Sequence, residues 1–394
     1  VTAPLDGIRV LEFCHFLAGP YAGFVLADLG ADVLKVEDPS HPDDARSMGP
    51  HFAGDQSLYF VALNSGKRSI GVQLATEEGR AVVEDLVRHA DVVIDNYRPG
   101  VLAKFGLGHD ALHAVNPAVV TCSLTGYGET GPDAQRAGYD YTIQALAGVM
   151  SLAGEPDGPP TKAGISYVDH SGGVSAALGV VAALLERSRT GVGTHVDVGL
   201  FDVQISMLTY LASWQRNRGA DFARTANSAH PTLVPAQNFR TADGHLALFV
   251  GNDGMWKRFV DAIGDAELAD ARFATRAQRL ELRDEVIAAV QRVLLTAPSR
   301  EWEERLGDVG VACGAVNDVG GALVEPQTRA RGLLVQNDHP VYGSYEHVRG
   351  PLPTQGRESI PPAPLLGEHT SDVLGALGYS PERVAALRDT GIIS

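Results

Sequence analysis

The sequence predicts an α/β protein, with a parallel-sheet large domain followed by a smaller α+β domain. Three observations carry this. The 394 residues exceed one ordinary core and suggest about two domains. Short apolar runs alternate with helical patterns over the first 200 residues. Composition and pattern then shift after Arg218, where a polar, proline-containing stretch leads into a hairpin and several helices.

The elements follow in order. Ile8 to Phe13 (IRVLEF) reads as a buried strand. His15 to Pro20 is a loop, and Tyr21 to Leu29 a helix stopped by Gly30. Asp32 to Glu37 (DVLKVE) is the next strand, which completes a strand–helix–strand unit. The unit lacks G-x-G-x-x-G, so no dinucleotide site is assigned. Asp38 to Gln56 is a long polar loop, of the kind that carries function. A strand through Val72 to Leu74 follows Lys67-Arg68-Ser69-Ile70, then a helix from Thr76 to about His89 and the strand Ala90 to Asp95. Val119 to Leu124 and Thr194 to Val198 are further strands, and Gly199 to Trp214 a helix. Residues 1–224 form the large domain in this reading and 225–325 the small one, with a hairpin turning at Asp243-Gly244.

Composition narrows the function. The protein is 44% hydrophobic and 20% charged, the balance of a globular chain. Its net charge of -16 opposes nucleic acid and anionic membrane as partners. Cys14, Cys122 and Cys313 are far apart and in apolar settings, which suggests buried thiols and no metal site. No apolar run in the sequence pattern reaches transmembrane length, and the first residues resemble no leader, so a cytoplasmic protein is expected.

Two stretches carry candidate chemistry. Asn96-Tyr97-Arg98-Pro99-Gly100 directly follows a buried strand, where open α/β sheets bind ligands. Arg98 and Lys104 supply positive charge there, and Tyr97 and Phe105 flat apolar surface; a solvated loop is the alternative. Gly164 to Gly173 places Asp169 ahead of a glycine pair and an apolar helix, Val174 to Leu185. Asp169 is then either a plain cap or an anion held at a helix N-terminus, with the glycines admitting a large ligand.

Taken together, Ala18-Gly19-Pro20, Leu29-Gly30-Ala31-Asp32-Val33, Lys67-Arg68-Ser69-Ile70, Asp95 to Gly100, Gly126-Tyr127-Gly128, Asp169, Cys313-Gly314 and Leu366-Gly367-Glu368-His369-Thr370 resemble family III CoA transferases. This is the superfamily of CaiB/BaiF, formyl-CoA transferase and α-methylacyl-CoA racemase proteins. The resemblance runs over nearly the full length. It implies a Rossmann-like large domain to which 326–394 returns, in an interlocked homodimer. It also implies acyl-CoA and carboxylic acid substrates, with no permanently bound cofactor. By that resemblance Asp169 is the nucleophile, passing the group through an aspartyl anhydride and an aspartyl-CoA thioester. The helix start after it would also donate N–H groups to the oxyanion. His15, Phe16, Leu17 and Ala18 would line the mouth of the acyl site. Val72, Leu74, Asn96, Tyr97, Arg98, Lys104 and Phe105, together with Tyr139, would contact CoA. Gly251, Asn252, Asp253 and Gly254 fall where relatives carry a glycine-rich gating loop.

The chain departs from the family pattern at Asp38 and Ala137, where some members have Arg and Lys. Racemases of the superfamily have a His where this chain has Tyr139 in Gly138-Tyr139-Asp140, which favours transfer over epimerisation. His170 would point away from Asp169 on an extended segment. A non-catalytic CoA-binding protein is the reading from another class, and it leaves Asp169 without a purpose.

Overall fold

A computed structural model of the chain describes residues 3–352 and 360–394. It divides into two compact units. One contains the residues up to 147, 164–212 and those from 326 on; the other contains 148–163 and 213–325.

The larger unit is built on six strands: β1 (Arg9–Phe13), β2 (Asp32–Glu37), β3 (Arg68–Gly71), β4 (Val92–Asp95), β5 (Val120–Thr125) and β6 (His195–Gly199). They lie in the order β3-β2-β1-β4-β5-β6, and every pairing is parallel. This is the doubly wound Rossmann-like order, and it reverses direction between β1 and β4. Val10 pairs with Val33 on one side and Val92 on the other. Buried on both faces, β1 has near-continuous apolar character, with Val10 in one core and Leu11 and Phe13 in the other.

The helices that matter here are α1 (Ala18–Asp28), α2 (Leu58–Asn64), α3 (Glu77–Arg88), α4 (Asp140–Leu146), α5 (Tyr167–Thr190) and α6 (Leu200–Met207). The α1 and α5 helices cover one face of the sheet through Ala22, Val25, Ala176 and Val180. On the other face α3 contributes Val82, Val83 and Leu86. The α3 helix begins where the Thr76 hydroxyl accepts the Gly79 N–H, and Glu77 and Glu78 in its first turn complement the dipole.

Several expectations need correction. The α5 helix starts at Tyr167, so Asp169 lies inside its first turn and not ahead of it. Gly172 and Gly173 are therefore interior to a helix. A Cβ on Gly172 would run into the Leu200 side chain, and one on Gly173 would lie 2.7 Å from the Ala18 carbonyl oxygen. These glycines permit close packing of α5 on α6 and α1, rather than the approach of a ligand. By length and composition α5 is also apolar enough to cross a membrane, although no sequence pattern suggested such a run. Val168, Ala176, Val180 and Leu184 on one side of it are buried in the sheet core. The helix read over Gly199 to Trp214 breaks after Met207 and restarts as Thr209–Arg218, with Thr209 in the left-handed region at φ 37°. The α2 helix, to which the sequence reading assigned nothing, begins where the Ser57 hydroxyl accepts the Tyr59 N–H.

In the smaller unit β7 (Ala236–Arg240) and β8 (His245–Phe249) form the antiparallel hairpin, and β9 (Ala312–Ala315) pairs with β8. Helices α7 (Asp253–Ile263), α8 (Arg283–Leu294) and α9 (Ser299–Gly307) pack on it around Phe239, Leu246, Phe259, Val290 and Trp302. The boundary falls near 212 rather than 224. The segment 148–163, read as part of the large domain, belongs here, because Arg224 donates to the carbonyls of Glu155, Pro156 and Gly158.

From 326 the chain contributes to the larger unit again, with the hairpin β10 (Leu334–His339) and β11 (Gly343–Val348), then α10 (Thr370–Ala376) and α11 (Pro381–Asp389). The tail reaches the end of β3. Gln73 N donates to the Ile392 carbonyl, and Ser394 N to the Gly71 carbonyl.

Candidate active site

The strand order fixes where a site can form. Where a doubly wound sheet reverses, the loops after the two flanking strands part and leave a crevice at the carboxyl edge. Here those loops follow β1 and β4, and they are tied together. His15 N–H donates to Asn96 Oδ1 at 2.8 Å, and Asn96 Nδ2 donates to the His15 carbonyl at 2.8 Å. His15 Nε2 lies 2.8 Å from the Tyr97 hydroxyl. Burial, with Lys35 nearby, pushes the His15 imidazole below its usual range, so the ring is neutral at pH 7. Burial likewise pushes the Tyr97 phenol far up and keeps it protonated.

A cleft of about 330 Å³ opens at this edge. His15, Phe16, Leu17, Ala18, Asn96, Tyr97, Arg98 and Tyr139 all line it, and so does Asp169. The structure thus gathers eight of the twelve expected contact residues around the expected nucleophile. Close backbone contact brings the Tyr139 side in. Gly126, after β5, and Gly138 face each other, so a Cβ on Gly126 would lie 2.7 Å from the Gly138 Cα.

The other four do not line this cleft. Val72 and Leu74 are core residues, at 0% and 3% exposure, because the C-terminal tail covers this end of β3. Their side chains offer no surface to CoA, and that expectation is withdrawn. Phe105 is half-buried and packs on the same core, while Lys104 is exposed at the end of the short helix Val101–Lys104. The stretch 251–254 belongs to the smaller unit. Locally it is a helix start: Asn252 caps α7 by accepting the Met255 N–H at 2.9 Å, and Asp253 pairs with the buried Arg279 at 2.9 Å.

Asp169 is half-buried in the first turn of α5, where the helix dipole favours an anion. One first-turn donor is already used. The Val168 N–H donates to Asp140 Oδ1 at 3.0 Å, and Gln144 Nε2 holds the other Asp140 oxygen at 2.8 Å. The Val168 amide is therefore committed to Asp140. The amides after Asp169, expected as oxyanion donors, lie inside the helix, where that of His170 donates to the Ser166 carbonyl at 3.1 Å, and that expectation is withdrawn. His170 is helical rather than extended. Its Nδ1 is 2.7 Å from the Ser166 carbonyl and its ring packs edge-on against Tyr21 at 4.7 Å, which takes it out of the chemistry.

Two further residues bear on the site and were given no role from the sequence. Tyr59 on α2 has its phenol pushed up to about 12 by burial and by the negative charges of Asp169 and Asp43. Arg136 lines the cleft, with its guanidinium 5.5 Å from the Tyr127 ring centre. Its position before Ala137 was the available signal, since some members of the family carry a Lys where this chain has Ala137. Among the described residues, no group of three or more His, Cys, Asp or Glu is arranged to hold a metal.

Comparison with known proteins assigns this architecture. The sequence model of CoA-transferase family III matches residues 5–370. The chain is 42% identical to the succinate–glutarate CoA-transferase of Agrobacterium fabrum, over 95% of this chain and 96% of that protein. It is 40% identical to the acetyl-CoA:oxalate CoA-transferase of Acetobacter aceti, over 85% and 86%. The crystal structure of a CaiB/BaiF family protein from Brucella suis superposes with a TM-score of 0.84 at 38% identity, over 96% of this chain and all of that one. The chain belongs to CoA-transferase family III and is a CoA transferase.

Proposed function

We propose that the protein moves CoA from an acyl-CoA to a free carboxylic acid through covalent intermediates on Asp169. The Asp169 carboxylate attacks the thioester carbonyl. The C–S bond breaks, giving a mixed anhydride and the CoA thiolate. The thiolate attacks the aspartyl carbonyl, expels the first acid as a carboxylate and leaves an aspartyl-CoA thioester. The acceptor carboxylate then runs the same two steps in reverse, and Asp169 is regenerated. Each intermediate is an activated acyl group, so the thioester energy is kept if water stays out. The observation that carries this reading is the position of Asp169. It sits in a helix first turn, half-buried, in the same cleft as the loops after β1 and β4.

CoA would lie along 15–18 and 96–98, with Arg98 and the nearby Lys104 meeting phosphates. The named relatives exchange CoA between succinate and glutarate or between acetyl-CoA and oxalate, so each acts on at least one dicarboxylate. We extend that class to this chain. In support, a guanidinium other than the one given to the phosphates, that of Arg136, lines the cleft of a protein of net charge -16. A homodimer belongs to the same reading. Val174, Leu178 and Leu185 leave an exposed apolar stripe along α5, and a second copy would cover it.

The test is incubation with succinyl-CoA and glutarate, oxalate or acetate, separating the CoA esters by chromatography. New esters of the dicarboxylic acids are expected, with little from acetate. Absence of any new ester, from protein that still binds CoA, would sink the proposal.

A further inference from the structure

Phe16 has a backbone conformation that its residue type disfavours. Its φ is 62°, in the left-handed region, and its side chain carries no local hydrogen-bonding group to compensate. It is nevertheless 37% exposed and lines the cleft that holds Asp169. Something else must hold it there.

The Phe16 N–H donates to Asp43 Oδ1 at 3.0 Å, and the same oxygen accepts the Ala45 N–H at 3.0 Å. Asp43 Oδ2 lies 2.9 Å from Lys35 Nζ, and Lys35 Nζ donates to the Cys14 carbonyl at 2.5 Å. Asp43 is 1% exposed and Lys35 is fully buried. One carboxylate thus joins the polar loop after β2, the strand β2 and the loop after β1. Behind Lys35 stand Glu12 at 3.4 Å and then Lys67, 2.7 Å from Glu12. Glu37 and Arg46, paired at 2.6 Å, complete a set of three carboxylates and three cations. A cluster so balanced keeps Asp43 ionised although it is buried, and its carboxyl stays below the usual range. The neighbouring residue is pinned independently, since Asn96 exchanges two hydrogen bonds with His15.

We propose that Asp43 is a positioning residue for the transfer site: its carboxylate clamps the Phe16 amide, fixes Phe16 in the left-handed conformation and so sets the cleft wall against which the CoA thioester is seated. The clause about CoA rests on the cleft reading above; the clamp does not. Without the clamp, Phe16 relaxes to a negative φ and the wall moves. Glycine adopts positive φ freely, so a Phe16→Gly chain would hold much of the loop without Asp43.

The test compares the full-length protein, Asp43→Ala, Phe16→Gly and the double variant, with Asp43→Asn as a milder change that keeps an acceptor oxygen. Hydrogen exchange over 13–18 is read without ligand, and CoA affinity by calorimetry. Asp43→Ala is expected to expose the segment to exchange and to weaken CoA by about tenfold. In the Phe16→Gly background the same change should weaken CoA by less than about threefold, a non-additivity that general destabilisation would not produce. If Asp43→Ala does not fold, Asp43→Asn is measured alone and in the Phe16→Gly background; a smaller loss with the same non-additivity is expected. Unchanged exchange over 13–18 would overturn the clamp, and equal losses of affinity in both backgrounds would overturn its role at the site. Wild-type protein that binds no CoA would instead refute the cleft reading, leaving the exchange result to judge Asp43.

Discussion

The carboxylate of Asp140 accepts the backbone N–H of Val168 at 3.0 Å, across 28 residues of sequence. This ties the start of α4 to the first turn of α5, immediately beside Asp169. Asp140 is buried and its other oxygen is held by Gln144. The contact does the work of an N-cap from outside the helix, where the local cap, Ser166, makes no side-chain hydrogen bond.

Asp140→Ala should therefore lower stability by about 1–2 kcal/mol, because a buried N–H loses its partner. The transfer rate should fall more than KM changes, since Asp169 loses its fixed position. Asp140→Asn keeps an acceptor and should lie between. Urea unfolding and steady-state kinetics on the three proteins check this; a stability loss with kcat intact would deny Asp140 a part in placing Asp169.

The glycines of α5 make an opposite pair of predictions with Gly375 of α10. An added Cβ on Gly173 meets the Ala18 carbonyl oxygen and the Ala22 nitrogen, which are backbone atoms that cannot move aside alone. Gly173→Ala should cost about 1–3 kcal/mol by overpacking, outweighing its gain in helix propensity. Gly375 is exposed with nothing within 4 Å, so Gly375→Ala should stabilise by up to about 0.5–1 kcal/mol. Thermal unfolding separates the two, and a stabilising Gly173→Ala would contradict the packing described for α1 and α5.

Asp95, at the end of β4, gives a pH dependence. Burial pushes its carboxyl up to about 7, although Ser123 and the Tyr97 amide donate to it. The folded state therefore holds this proton more tightly than the unfolded chain, whose Asp titrates near about 4. Its contribution to stability is most favourable below that value and declines as pH rises from about 4 to about 7. Asp95→Asn removes the titration, so its stability relative to wild type should improve from pH 5 to pH 8. Urea midpoints at the two values test this; a relative stability that does not change with pH would show that Asp95 is not held protonated.

The strands were legible because buried parallel strands leave unbroken apolar runs, as in Val92-Val93-Ile94. The site loops were legible because they follow those strands directly, as Asn96-Tyr97-Arg98 follows Asp95. Contacts between distant segments were not. Glu12 and Lys35 stand out as charges inside apolar strands, but their pairing depends on strand order and on Asp43, in a loop with no pattern of its own. Val72 and Leu74 read as strand positions near a ligand, and only the tail around Ile393 shows why they are sealed. The start of α5 was misplaced because Gly172 and Gly173 resemble a loop; their helical packing is visible only beside Leu200 and Ala18.

Transfer through Asp169 requires a covalent link at its carboxylate, which mass spectrometry of the protein with succinyl-CoA detects. Wild-type protein treated with hydroxylamine should carry a hydroxamate, and untreated protein a CoA adduct, each mapping to Asp169. Asp169→Ala should show neither and should transfer no CoA. Transfer by wild type with no adduct at Asp169, or transfer retained in Asp169→Ala, would contradict the account.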